Sequence, residues 1–158
     1  MSRKSFWELA LAILVCEFAG AIGTVFTASQ IPMWYAGLVK PSFNPPSWIF
    51  GPVWTLLYAL MGIAVFIVAK RGTHNLKVRS ALEIFCIQLF LNIIWSPIFF
   101  GLHSPSLALI TIVFMWFAIL GTIVSFAKVS TRAASLLIPY ILWVSFATYL
   151  NYSIWILN

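Results

Sequence analysis

A chain of 158 residues with 63% hydrophobic and 8% charged residues and a mean hydropathy of +1.03 is not an ordinary soluble domain. Soluble domains carry roughly 25% charged residues, and nine basic plus three acidic side chains cannot cover a globule of this size. The net charge of +6 does not point to nucleic acid either, because the basic residues are scattered among long apolar blocks and make no continuous phosphate-binding face. A single integral membrane domain over residues 1–158 is the economical solution. One span takes roughly 20 apolar residues, which leaves no room for a separate catalytic or DNA-binding domain.

The first predicted span covers residues 6–27. Its apolar run from Phe6 to Phe26 exceeds the roughly 7–15 residues of a signal-peptide core and has no Ala-x-Ala cleavage signal, so it reads as retained. Small residues recur every fourth position, at Ala12, Cys16 and Gly20 and at Ala19 and Gly23, a spacing suited to close contact with a neighbouring helix. Cys16 and Cys86 both fall in apolar blocks without CxxC or Cys/His spacing, and read as small buried hydrophobes. The stretch ASQIPMWYAGLVKPSFNPPSW, residues 28–48, differs from everything around it. Its four prolines, Lys40 and Asn44 exclude a straight helix through lipid. Its Trp34, Tyr35, Leu38, Phe43 and Trp48 exclude a merely solvated linker. A short interfacial helix around Trp34–Val39 is expected, followed by an extended lid, with Trp34, Lys40, Pro41, Asn44, Pro45 and Pro46 as lid residues.

Four further spans follow, at about 52–69, 80–100, 106–127 and 134–156, with Pro52 in the first turn of its helix, where a missing N–H costs least. The expected fold is therefore all-α, a bundle of five transmembrane helices with a long Pro-rich loop between the first two. The charges sort with this parse. The N-terminus and the second and fourth loops hold Arg3, Lys4, Lys70, Arg71, Lys77, Arg79, Lys128 and Arg132, eight of the nine basic residues, against Lys40 alone on the other side. The positive-inside rule then puts the N-terminus in the cytoplasm and the C-terminus outside.

Polar side chains at membrane depth face protein or a cavity. Glu17 fits either a hydrogen bond to a neighbouring helix or a place in a polar pocket, and Glu83 pairs with Arg79 at i,i+4 spacing. Gln88, Asn92, Trp95 and Phe99 share one helical face. Two roles stand for it: interhelical bonds with an interfacial anchor, or the wall of a ligand cavity in which an amide between aromatic rings fixes orientation. Pro97 leaves a carbonyl near Ile93 without its usual donor. Trp54 and Tyr58 share a face of the second span, and Trp143 and Ala147 share one of the fifth, a turn after Pro139 and Tyr140. Those two tryptophans lie inside their spans, where a flat apolar cavity explains them better than the interfacial belt that suffices for Trp7, Trp48 and Trp155. His74 and His103 stand in loops with no metal partner, and no phosphate loop, carboxylate pair or nucleophile elbow is present.

The run WYAGLVKPSFNPPSWIFGPVWTLLY, residues 34–58, resembles the signature of the translocator protein family, also called TspO/MBR or peripheral-type benzodiazepine receptor proteins. QLFLNIIWSPIFFG, residues 88–101, and PYILWVSFATYLNYSIWILN, residues 139–158, are similar to its second and C-terminal signatures. The resemblance implies a five-helix bundle, commonly a homodimer, whose first loop closes over a pocket at one end. It implies binding of tetrapyrroles such as protoporphyrin IX or haem, and of isoquinoline or benzodiazepine-type drugs, with no cofactor required. Pocket positions of the family fall on Trp54, Trp143, Tyr35, Asn92 and Ala147. The sterol motif of mitochondrial members is incomplete, since Leu150 and Tyr152 are followed by no Lys or Arg. That weighs against sterol binding and, with the charge pattern, favours a bacterial inner membrane. The leading expectation is porphyrin sensing, scavenging or transport. Its rivals are light- and oxygen-dependent porphyrin degradation at Trp54 and Trp143, which indole electron donation would allow without a metal, and a sterol- or drug-binding receptor.

Overall fold

A computed structural model describes residues 3–158. Its helices are α1 (Arg3–Thr27), α2 (Phe50–Ala69), α3 (Leu76–Ser96), α4 (Pro105–Ala127), α5 (Thr131–Ser135) and α6 (Ile138–Leu157). Five stretches, with α5 and α6 counted together, are long and apolar enough to cross a membrane. The protein is an all-helical integral membrane protein.

Local chemistry sets the boundaries. Asn75 caps α3 by accepting the Lys77 N–H at 2.9 Å, so the helix begins at Leu76, four residues ahead of the expected start. Ser104 and Ser130 cap α4 and α5, and Pro105 occupies the first turn of α4. A 3₁₀ turn at Ser47–Ile49 starts the second span before Pro52, which still falls where no N–H is needed. The last span is broken where one helix was expected. Pro139 cannot donate to residue 135 and crowds its carbonyl, so the chain tightens through Leu136 and Leu137 before α6 begins.

Between α1 and α2, Ile31–Tyr35 forms a wide π-type turn closed by the Tyr35 N–H on the Gln30 carbonyl at 2.9 Å. It begins three residues before the expected interfacial helix, because the fixed φ of Pro32 suits a first turn. A second wide turn, Pro97–Gly101, prolongs α3, with the Leu102 N–H reaching back to the Pro97 carbonyl at 2.9 Å. Pro97 cannot serve its own i−4 carbonyl, and wide turns of this kind are the common adjustment.

In the bundle α1 lies against α2 and α3, α4 against α3 and α6, and α5 touches α2 and α4. The end near the α2–α3 turn is packed solid. Met61, Ala64, Val68, Val78, Ala81, Ile119, Phe126 and Ala133 are all fully buried there. α1 and α2 meet backbone to backbone, since a Cβ on Gly62 would lie 2.5 Å from Ile13 Cα. The opposite end has a smaller cluster of Tyr35, Phe99, Phe100, Ala108, Leu150 and Ile154, and the space between the two clusters is not filled. Cys16 is buried, but Cys86 is exposed on the outer face of α3. An apolar block does not tell the lipid-facing side of a helix from the inward one. Glu83 pairs with Arg79 at 3.1 Å on the surface.

Candidate functional site

The unfilled space is a cavity of about 620 Å³ bounded by α1, α2, α3, α4 and α6 and by both ends of the first loop. Drug-sized ligands occupy pockets of roughly 300–1,000 Å³. Most of its wall is aromatic or aliphatic. Trp54 leans on Tyr58 with ring centroids 5.6 Å apart, and Trp143 packs edge-on to Phe50 at 5.9 Å. Trp95 stacks on Phe99 at 5.1 Å.

Its polar floor is a hydrogen-bonded chain joining three helices. Tyr58 donates to Asn92 Oδ1, Asn92 Nδ2 donates to the Tyr140 hydroxyl at 2.7 Å, and that hydroxyl donates to Gln88 Oε1 at 2.9 Å. Gln88 Nε2 ends the chain at Met61 Sδ, 3.9 Å away. A second polar group fixes Trp95, whose indole N–H donates to Asn151 Oδ1 at 3.2 Å while Asn151 Nδ2 donates to the Pro105 carbonyl at 2.8 Å. Among the described residues, Trp143 Nε1 is a buried side-chain polar atom with no hydrogen-bond partner.

Of the residues expected from sequence, Tyr35, Trp54, Tyr58, Asn92, Trp95, Trp143 and Ala147 lie in the cavity wall. Gln88 does not. It is 1% exposed and supports Tyr140 from behind, because one helical turn toward the packed end places it beneath the floor. Of the two roles open to Glu17, the structure gives it a place in the cavity wall. None of the six expected lid residues, Trp34, Lys40, Pro41, Asn44, Pro45 and Pro46, lines the cavity. Tyr35 and, from the far end of the loop, Ser47 and Trp48 reach it instead. Trp34 stacks on His103 at 4.5 Å, and Lys40 donates to the Ala36 and Leu38 carbonyls with its ammonium 4.7 Å from the Tyr35 ring centre. Asn44 accepts the Tyr35 hydroxyl at 2.8 Å. Burial pushes that hydroxyl above its ordinary pKa while the bond to Asn44 pulls the other way. These six residues shape the loop that carries Tyr35.

Sequence reading left out Asn151 and Asn158. Asn151 continues the four-residue spacing from Trp143 and Ala147, a signal that was available. Asn158 gives none, since its role is tertiary: its side-chain amide pairs with both the N–H and the carbonyl of Val39, each at 3.0 Å.

Five membrane-crossing helices, an aromatic cavity toward one end and a loop folded over it define a class of small integral membrane protein. The TspO/MBR family model matches residues 12–156, and the chain belongs to that family. It is 46% identical to the tryptophan-rich protein TspO of Chlorobaculum tepidum over 99% of both chains. It is 39% identical to the human translocator protein over 94% of this chain and 89% of that one. The tryptophan-rich sensory protein of Cereibacter sphaeroides is 36% identical over 96% and 92%.

Proposed function

We propose that this protein binds a tetrapyrrole of the protoporphyrin IX or haem type in the cavity, as a membrane sensor, scavenger or transporter. The observation carrying the reading is the wall itself. A flat macrocycle with a few polar substituents needs broad aromatic faces and a small number of fixed polar groups. Trp54, Trp95 and Trp143 supply the faces, and Tyr58 with Asn92 supplies the polar groups. Isoquinoline- and benzodiazepine-type drugs suit the same surfaces, and no cofactor is needed for binding. The chain acts as a homodimer in the inner membrane of a bacterium, N-terminus inside.

Protein in lipid nanodiscs titrated with protoporphyrin IX should show saturable quenching of tryptophan fluorescence. Ala147→Trp, which puts an indole into the space, should weaken that binding at least tenfold with helical content unchanged. Equal affinity in the variant would remove the cavity as the site. Orientation is tested separately. In a protein without its native cysteines, a membrane-impermeant thiol reagent added outside cells should label Ser42→Cys and spare Asn75→Cys, and the reverse pattern would invert the topology.

A second reading rests on the two indoles in the wall. Trp54 and Trp143 are positioned to donate an electron to a photoexcited porphyrin, with dioxygen as the oxidant that carries its breakdown forward.

A further inference from the structure

We infer that the cavity is entered from the bilayer, through a seam between α1 and α2, rather than from water past the loop. This rests on the cavity being the ligand site proposed above. The two helices touch backbone to backbone at Ile13 and Gly62, and a turn or two further on Gly20 lies against the Tyr58 ring, where a Cβ would come within 2.3 Å of Cε2. Beyond that point the exposed cavity-lining residues of α1 and α2 are small, up to Trp48 just before α2. Ala21 and Thr24 of α1 and Gly51 and Thr55 of α2 each line the cavity and are each exposed on the outside of the molecule. Residues with both properties mark an opening. All four lie within membrane-crossing stretches, so what meets the opening is acyl chain.

The seam is also largely apolar, with Glu17 one turn deeper along α1. Thr24 Oγ1 donates to the Gly20 carbonyl and Thr55 Oγ1 to the Gly51 carbonyl, both at 3.1 Å, so each hydroxyl is turned back on its own helix. An entering molecule therefore meets methyl and methylene groups and gives up no hydrogen bonds there.

At the loop end Ala28, Ser47 and Trp48 also line the cavity and are exposed, but the loop between them is tied down. Asn158 grips Val39 by two hydrogen bonds, His103 stacks on Trp34 and contacts Gln30 at 2.9 Å, and Phe43 stacks on Tyr149 at 5.1 Å. Lifting the loop breaks all of these together, whereas passage through the seam breaks no contact of this kind. The inference fixes the ligand class more narrowly than cavity size does. It must dissolve in the bilayer, and a charged, water-confined molecule of the same shape is excluded.

The test needs no porphyrin, so its failure is distinct from failure of tetrapyrrole binding. A Cys16→Ala, Cys86→Ala protein carrying Ala147→Cys in the cavity wall is placed in phosphatidylcholine vesicles. It is treated with pyrene maleimide, which partitions into lipid, or with a sulfonated maleimide, which does not. Pyrene maleimide should label, and the sulfonated reagent should be at least tenfold slower. Adding Ala21→Phe should slow pyrene labelling at least fivefold, and Thr55→Phe, which obstructs the seam from the opposite helix, should do the same. Asn158→Ala should change it less than twofold. Absence of pyrene labelling overturns the seam, as does an unchanged rate in both phenylalanine variants. Rapid labelling by the sulfonated reagent, accelerated by Asn158→Ala, overturns it in favour of entry past the loop.

Discussion

Replacing Asn92 by leucine should destabilise the protein by about 2–3 kcal/mol, more than truncating any other polar residue around the cavity. Interhelical hydrogen bonds in membranes average only about 0.6 kcal/mol each, because unfolded helices in lipid find other partners. The larger figure arises because Asn92 is a junction: its amide joins Tyr58 of α2 to Tyr140 of α6 from a position on α3. Leucine removes both bonds and strands the buried Tyr58 hydroxyl, which alone costs about 1–3 kcal/mol, while the Tyr140 hydroxyl keeps its bond to Gln88. Tyr58→Phe loses only one bond and should cost about 1 kcal/mol. Adding Tyr58→Phe to Asn92→Leu should cost less than Tyr58→Phe alone, since the partner has already gone. Unfolding in mixed micelles with increasing dodecyl sulfate, followed by circular dichroism, measures all four proteins. Additive losses would mean that the chain of bonds is not a coupled unit.

The two cavity tryptophans separate binding from chemistry. Trp54→Phe and Trp143→Phe keep a flat apolar surface, and aromatic pairs contribute about 0.5–1.5 kcal/mol beyond their area, so each should weaken protoporphyrin binding by roughly tenfold at most. Phenylalanine is a far poorer electron donor than indole. If the protein degrades porphyrin, the double variant should still bind yet lose most light-dependent loss of the porphyrin spectrum in air. If it only binds, wild type should bleach porphyrin no faster than lipid alone. Affinity and bleaching rate measured on the same four samples decide between these, and wild-type affinity in the double variant would remove both indoles from the site. Trp143→Phe also deletes a buried N–H that has no acceptor, so it should not destabilise the empty protein through lost hydrogen bonding.

Sequence reading located all five spans because hydropathy and charge are one-dimensional signals: roughly 20 apolar residues make a span wherever they occur. It picked out Trp54, Asn92 and Trp143, which lie in the cavity wall, because each is an aromatic or amide side chain inside a span at helical spacing from another unusual residue. It did not separate Gln88 from Asn92, which share a face four residues apart. Only the depth of the cavity, fixed by α1 and α6, decides that one lies in the wall and the other beneath it. The lid residues were unusual for a different reason than reach. Pro41, Pro45 and Pro46 restrict the backbone, while contact with the space falls to Ala28, Ile31, Tyr35, Ser47 and Trp48 toward the loop's ends. The break before α6 was legible in Pro139, but whether a proline kinks a helix or ends one depends on the packing around it.

The two wide turns make chain length at this end of the molecule a constrained quantity. Ile31–Tyr35 and Pro97–Gly101 each spend five residues where an α-helix spends four, and they face one another: Tyr35 packs on Phe99 and Phe100, and Trp34 on those rings and on His103. Each residue of an α-helix advances the side-chain direction by about 100°. Deleting one residue from either turn would swing everything beyond it by that angle, parting Trp34 from His103 with no side chain changed. Substitutions are tolerable at many of these positions, but a gain or loss of a single residue is not. Relatives that differ widely in composition here are therefore expected to keep the same count.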